Sequence, residues 1–314
     1  RGMTIMPDRR SLKFYQADVF TSEPFGGNPV AVFPDADGLS DDQLQQIARE
    51  MNLSETVFVF PPTDKAAVVR LRIFTPTQEL PFAGHPVIGT FYLLAQLGLV
   101  PLTGSVTRLL YECNIGLFPV ELRGTAKEIE HVVMSQPKPE FLDRVEDEEH
   151  FYKLALSLGL PKYAVAEAKS PIEVVSTGLP VLILPIRTLT AIRSIRPDPS
   201  AITDLCGRFG ANGIMVFTTV TVEPDSTVHT RMFAPAIGIL EDPATGSASG
   251  ALGAYLVHHR IIDAKPTAEI VSEQGYEMDR PSRILIQVDS TDSVIQEVKV
   301  GGECVMVVEG ELKF

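Results

Sequence analysis

The feature that most constrains this chain is an internal repeat. Residues 72–84 read Arg-Ile-Phe-Thr-Pro-Thr-Gln-Glu-Leu-Pro-Phe-Ala-Gly, and residues 231–246 read Arg-Met-Phe-Ala-Pro-Ala-Ile-Gly-Ile-Leu-Glu-Asp-Pro-Ala-Thr-Gly. Both carry Arg-x-Phe-x-Pro and then Glu-x-Pro-x-x-Gly, with three extra residues between the two signatures in the second copy. Upstream, Gly27-Asn28-Pro29-Val30 has a fainter counterpart in Gly178-Leu179-Pro180-Val181. Matched motifs in the same order at comparable separations point to duplication.

A length of 314 residues favours two units, because a single core stops growing below that size. The expected halves are 11–128 and 129–307, with a last strand near 308–314 returning to the first half. Arg1-Gly2 ahead of Met3 reads as a cloning remnant on a tail of residues 1–10.

Between the motifs lie short runs rich in Val, Ile, Thr and Phe, bounded by Pro, Gly or Asp, which predict strands. These cover 13–20, 29–33, 56–60, 67–74, 129–134, 181–185, 213–219 and 227–233. Ser40 with Gln43 forms a capping-box signature ahead of a helix to Met51, and 147–158 and 199–209 read as further surface helices. The stretches after the two repeat glycines, 85–97 and 247–257, carry hardly any charge on any face. A helix apolar all round is buried, so each is expected inside the curved sheet of its own half. Both are too short to cross a bilayer. The fold class that follows is α+β: two duplicated half-domains, each a curved, mostly antiparallel, barrel-like sheet around one central helix.

Bulk chemistry narrows the function. The net charge of −13, from 27 basic and 40 acidic residues, repels nucleic acid and anionic membranes. Cys113, Cys206 and Cys304 are odd in number and widely spaced, which fits neither a disulfide framework nor a structural zinc site. A cytoplasmic protein without metal or cofactor is expected.

A helix start presents unpaired N–H groups and about half a positive charge, so Gly84 and Gly246 mark two ready anion sites. If the halves face each other, both ends converge on one cleft. His85, Asp242 and Ser247 lie at these starts, and Glu55 lies just before a strand. An acid, a base and hydroxyl donors around an anion cradle suit removal of a C–H proton beside a carbonyl or along a conjugated system. Each residue also has a plain structural role: Ser247 as a helix cap, Asp242 as a turn initiator, His85 as a core or capping histidine, Glu55 as part of a cap. It is their combination that points to chemistry. A serine hydrolase fits poorly, because Gly246-Ser247-Ala248-Ser249-Gly250 lacks the spacing of a nucleophile elbow.

Five ordered motifs resemble the phenazine-biosynthesis PhzF family, of the diaminopimelate epimerase-like fold. They are Asp18-Val19-Phe20 with Gly26-Gly27-Asn28-Pro29; Asn52-Leu53-Ser54-Glu55-Thr56; Phe74-Thr75-Pro76 through Ala83-Gly84-His85-Pro86; Glu241-Asp242-Pro243 through Gly246-Ser247-Ala248; and Glu273-Gln274-Gly275. The resemblance implies a cofactor-independent isomerase that moves a proton within a small carboxylated, cyclic unsaturated substrate such as trans-2,3-dihydro-3-hydroxyanthranilate. In that reading Glu55 is the general acid/base, His85, Asp242 and Ser247 complete the catalytic set, and Asn28, Gly84 and Gly246 bind substrate. The expected partners are a small carboxylated metabolite and, as in many such enzymes, a second copy of the chain. Racemases of this fold carry a cysteine at each central helix start, where this chain has His85 and Ser247, which argues against a two-thiol racemase. The alternative from a different class is a non-catalytic member binding a small molecule or a protein.

Overall fold

The structure is a computed structural model that describes residues 10–165, 170–263, 266–292 and 294–314. All but the last residue of the expected tail lies outside the described residues. The first half runs β1 (Ser11–Val19), β2 (Asn28–Phe33), α1 (Asp41–Met51), β3 (Glu55–Phe60), β4 (Val69–Phe74), β5 (Glu79–Leu80), α2 (His85–Gln96), β6 (Val106–Cys113), β7 (Gly116–Gly124) and β8 (Ile129–Ser135). Next come β9 (Glu140–Arg144) and α3 (Glu148–Ser157). The second half runs β10 (Glu173–Ser176), β11 (Pro180–Pro185), α4 (Leu189–Ser194), α5 (Pro199–Phe209), β12 (Ile214–Thr218), β13 (Val228–Ala234), β14 (Ile239–Asp242), α6 (Gly246–His258), β15 (Thr267–Gln274), β16 (Ser282–Thr291) and β17 (Val294–Gly302), and β18 (Cys304–Lys313) ends the described chain.

The duplication is written in the strand pairing. In the first half β1 pairs β2 antiparallel, β2 pairs β3 parallel, β3 pairs β4 antiparallel, β4 pairs β6 parallel, and β6, β7 and β8 follow antiparallel. The second half repeats that sequence of senses through β10, β11, β12, β13, β15, β16 and β17. Register makes Thr56 the equivalent of Ile214, since they face Phe74 and Phe233, and Leu80 the equivalent of Asp242, since they face Ile73 and Met232. The halves meet where β8 pairs β17 antiparallel. Their outer edges are exchanged: β9, which follows the first half, pairs β10, and β18, which follows the second, pairs β1.

The predicted α+β duplication and central helices are present, and the curved, barrel-like sheet is open. The sheet does not close, because β8 and β17, which would seal each half, pair with each other instead. The strands form one continuous mixed sheet, and α2 and α6 are enclosed by its curvature, with helix and sheet residues of both halves in one apolar core. Outside it, α1 covers Phe33, Phe58 and Phe74, and α3, α4 and α5 cover the outer face of the second half. Among the described residues no helix is long and apolar enough to cross a membrane.

The repeated signature earns its residues. Arg72 grips Glu79 with Nε at 2.7 Å and Nη2 at 2.6 Å, and Arg231 grips Glu241 with both nitrogens at 2.8 Å. Each guanidinium also lies over the phenylalanine of its motif, at 5.2 Å from Phe74 and 5.0 Å from Phe233. The three extra residues are absorbed by a 3-10 turn at Pro235–Ile237, so Glu241 still reaches its arginine. The acidic stretch around Asp147 caps α3, its carboxylate accepting from the His150 amide.

Burial separates the two clamps. The Arg231 side chain is 6% exposed and that of Glu241 15%, whereas those of Arg72 and Glu79 are 17% and 25% exposed. Removing one member of a buried pair strands the other charge, at about 3–5 kcal/mol. Arg231→Met should therefore lower the unfolding free energy measured in urea by an amount in that range, and Arg72→Met by clearly less; equal losses would count against the clamps as described.

Candidate active site

The two helix starts meet. Gly84 precedes α2, and a β-carbon built on it would lie 4.0 Å from the Ser247 amide nitrogen at the start of α6. Neither start is capped by a side chain: Gly84 has none to offer, and Thr245, at the cap position of α6, turns its hydroxyl elsewhere. Ser247 is the second residue of α6 rather than its cap. Two helix starts without a side-chain cap thus lie side by side, an arrangement suited to holding an anion.

Around them the predicted side chains assemble. Glu55 opens β3, where parallel pairing sets it beside Val30, and His85 is the first residue of α2. His85 Nε2 stands 3.4 Å from Glu55 Oε2, and neither atom has a hydrogen-bond partner within the protein. Asp242 ends β14 in the second half, and Asn28 of the first half donates to its Oδ1 at 2.9 Å and to the Ala244 carbonyl at 3.0 Å. The sequence-predicted residues Asn28, Glu55, Gly84, His85, Asp242, Gly246 and Ser247 therefore gather from both halves at one place. All three cysteines are buried, and none stands at a helix start.

Three further residues belong to the constellation. Ser54 donates to Asn28 Oδ1 at 3.2 Å, Thr245 donates its hydroxyl to Asp242 Oδ2, and Gln274 donates to the Asp242 carbonyl at 2.7 Å and to Thr245 Oγ1 at 3.1 Å. Each sits inside a motif visible in the sequence, which was the available signal. The pattern does not say which motif members touch.

Burial dominates the electrostatics. Glu55, His85 and Asp242 are 8%, 8% and 9% exposed. Loss of water pushes the Glu55 carboxyl up to about 6, with Ser54 pulling against it. It pushes Asp242 up to about 6 as well, opposed mainly by His85 and Thr245 and reinforced by Glu55. It holds His85 down to about 4, the Asp242 charge and the Pro29 carbonyl opposing. At neutral pH the histidine is uncharged, and Glu55 sits within about one unit of gaining or losing its proton, the condition for a group that must do both. Among the described residues no group of three or more His, Cys, Asp or Glu side chains is arranged to hold a metal ion.

A family model described as phenazine biosynthesis-like protein matches residues 17–310. An uncharacterized isomerase of Clostridium acetobutylicum is 36% identical, over 96% of this chain and 98% of its own. A trans-2,3-dihydro-3-hydroxyanthranilate isomerase of Pseudomonas aeruginosa is 35% identical, over 95% of this chain and 98% of its own. The crystal structure of a phenazine biosynthesis protein, PhzF family, from Bacillus anthracis superposes with a TM-score of 0.87 at 30% identity, covering 96% of this chain and 99% of that one.

The Glu55 environment has a stability consequence. Its folded-state pKa of about 6 lies above the ordinary 4.5, so the folded state holds this proton more tightly and loses stability as pH rises from about 4.5 to about 6. Above that window the loss is constant, at about 2 kcal/mol. Glu55→Gln should be more stable than the parent by up to about that amount near pH 8, and the gap should vanish near pH 4; urea unfolding at the two pH values measures it.

Proposed function

The chain belongs to the phenazine biosynthesis-like family and is an isomerase, and from that premise we propose that it shifts a proton along a small, unsaturated, carboxylated substrate with Glu55 as the group that takes and returns it. The observation that carries this reading is the Glu55 carboxyl itself: nearly dry, unpaired at Oε2 and raised to about 6 beside two uncapped helix starts.

The geometry suits the steps in order. The substrate carboxylate takes the free amides of the Gly84 and Gly246 ends, whose dipoles also favour the negative charge that grows on the conjugated system as a proton leaves carbon. Ionised Glu55 accepts that proton, and the electron pair moves into the conjugated system. The resulting Glu55 acid then delivers the proton to another carbon, so the product is an isomer and no electrons are gained or lost. Neutral His85, with an unpaired Nε2 facing Glu55, orients the carboxyl and can hydrogen-bond its protonated form. Asp242, raised to about 6 like Glu55, supplies a second carboxylate acting on His85, and the Ser247 hydroxyl stands at the same helix start. Asn28 holds Asp242 in place across the boundary between halves.

The relative in Pseudomonas aeruginosa carries the name of a trans-2,3-dihydro-3-hydroxyanthranilate isomerase, which makes that compound the first substrate to try. With it, or with another carboxylated diene the enzyme turns over, Glu55→Gln should lower kcat by roughly 10²- to 10⁴-fold while the variant keeps its fold. Near-parental turnover by the folded variant would falsify the assignment of Glu55.

A further inference from the structure

The motif Glu273-Gln274-Gly275 takes no part in the proton transfer described above, yet it opens a connection in which the two halves differ. In the first half β6 and β7 are joined by a two-residue turn, with Cys113 paired to Gly116. At the equivalent place, β15 and β16 are joined by residues 275–281. Register makes Glu112 the equivalent of Glu273: each faces a basic residue, Arg70 or His229, and each accepts two backbone amides, from Thr63 and Asp64 or from Val222 and Glu223. The next position is Cys113 in one half and Gln274 in the other.

The longer connection touches both halves of the site. At its first end Gln274 donates to the Asp242 carbonyl and to Thr245 Oγ1, and accepts from the Thr245 amide at 3.2 Å. At its other end Arg280 donates Nη2 to Asp18 at 2.7 Å and to the Gly26 carbonyl at 2.6 Å, and Nε to the Gly27 carbonyl at 2.8 Å. The Gly27 amide donates in return to the Pro281 carbonyl at 2.9 Å. Gly26 and Gly27 are the turn that delivers Asn28, and Gly27 has φ +56°. The connection is itself rigid. Gly275, at φ +80°, brings the backbone so close that a β-carbon would strike the Arg280 and Pro243 carbonyls, and the Arg280 amide donates to Gly275 at 3.0 Å. Its middle is held by Glu277, which accepts from His229 Nε2 at 3.0 Å while Glu273 accepts from Nδ1 at 2.7 Å, all in the interior.

We propose that residues 275–281 form a brace that sets the distance between the two halves of the active site, with Gln274 and Arg280 as its positioning residues. Gln274 fixes the Asp242–Thr245 turn from which α6 starts, and Arg280 fixes the turn from which Asn28 reaches Asp242. The proposal rests on the isomerase reading for its catalytic consequence but not for its geometric one, and the two can be tested apart.

The geometric test uses the substrate-free protein. His85, which faces Glu55 and Asp242, stays uncharged to about pH 4 because water is kept from it. Its imidazole titration, followed by NMR on histidine-labelled protein and assigned through the loss of its signal in His85→Gln, should move up by about one unit or more in Gln274→Leu, as the Asp242–Thr245 turn loosens and admits water. If Gln274→Leu fails to fold, Gln274→Glu takes its place; it keeps an acceptor for the Thr245 amide but loses both donated bonds. Arg280→Lys keeps the charge opposite Asp18 but cannot span three acceptors in one plane, and should shift the titration in the same direction. The catalytic test is that kcat on a turned-over substrate falls about tenfold or more in both folded variants, with KM changed far less. Folded variants with the parental His85 titration would overturn the brace. Absence of any turnover by the parent would count against the isomerase reading alone, since the titration still decides the brace.

Discussion

A planar guanidinium gripping a carboxylate, made twice, sets where the two central helices begin. Arg72 with Glu79 and Arg231 with Glu241 each tie a long strand to a two- to four-residue one, and the chain leaves that short strand directly for Gly84 or Gly246. The fork geometry fixes direction as well as distance, which a lysine could not do. Because both clamps are alike, both helix starts arrive in equivalent places, and the curvature of a continuous sheet turns them towards each other.

That interaction is also why so much could be read in advance. A bidentate pair packed on an aromatic ring demands particular residue types at fixed offsets, so it leaves a signature that survives an inserted 3-10 turn. The buried helices were legible for a related reason, since an uncharged stretch has only the interior to go to. What stayed hidden was non-local. The β8 to β17 pairing that leaves the sheet open joins residues some 170 positions apart. The contacts of Gln274, Thr245 and Ser54 were hidden in the same way: their motifs stood out, but the partner of each was set by the fold.

The site is asymmetric on a symmetric frame. By register the counterpart of Glu55 is Gly213, that of Asp242 is Leu80, and the motif alignment sets Asn28 against Leu179. Duplication supplied two equal helix ends, and divergence placed ionisable groups on only one side of each strand equivalence. The cost is visible in the folded state: two carboxyls raised by loss of water would rather be elsewhere at neutral pH, and a histidine depressed by it would rather be elsewhere once the pH falls below its ordinary 6.5. Stability surrendered at one cleft is the usual companion of chemistry there.

The exchanged edge strands carry a consequence for biogenesis. β1 pairs along its whole length with β18, Ser11 opposite Lys313, so the outer edge of the first half stays bare until the second half has been synthesised. An unpaired edge is a template for wrong partners, and pairings this distant in sequence form slowly. On the ribosome the first half therefore emerges first and is completed last, and the nascent chain must keep β1 from other strands for nearly the whole of its translation.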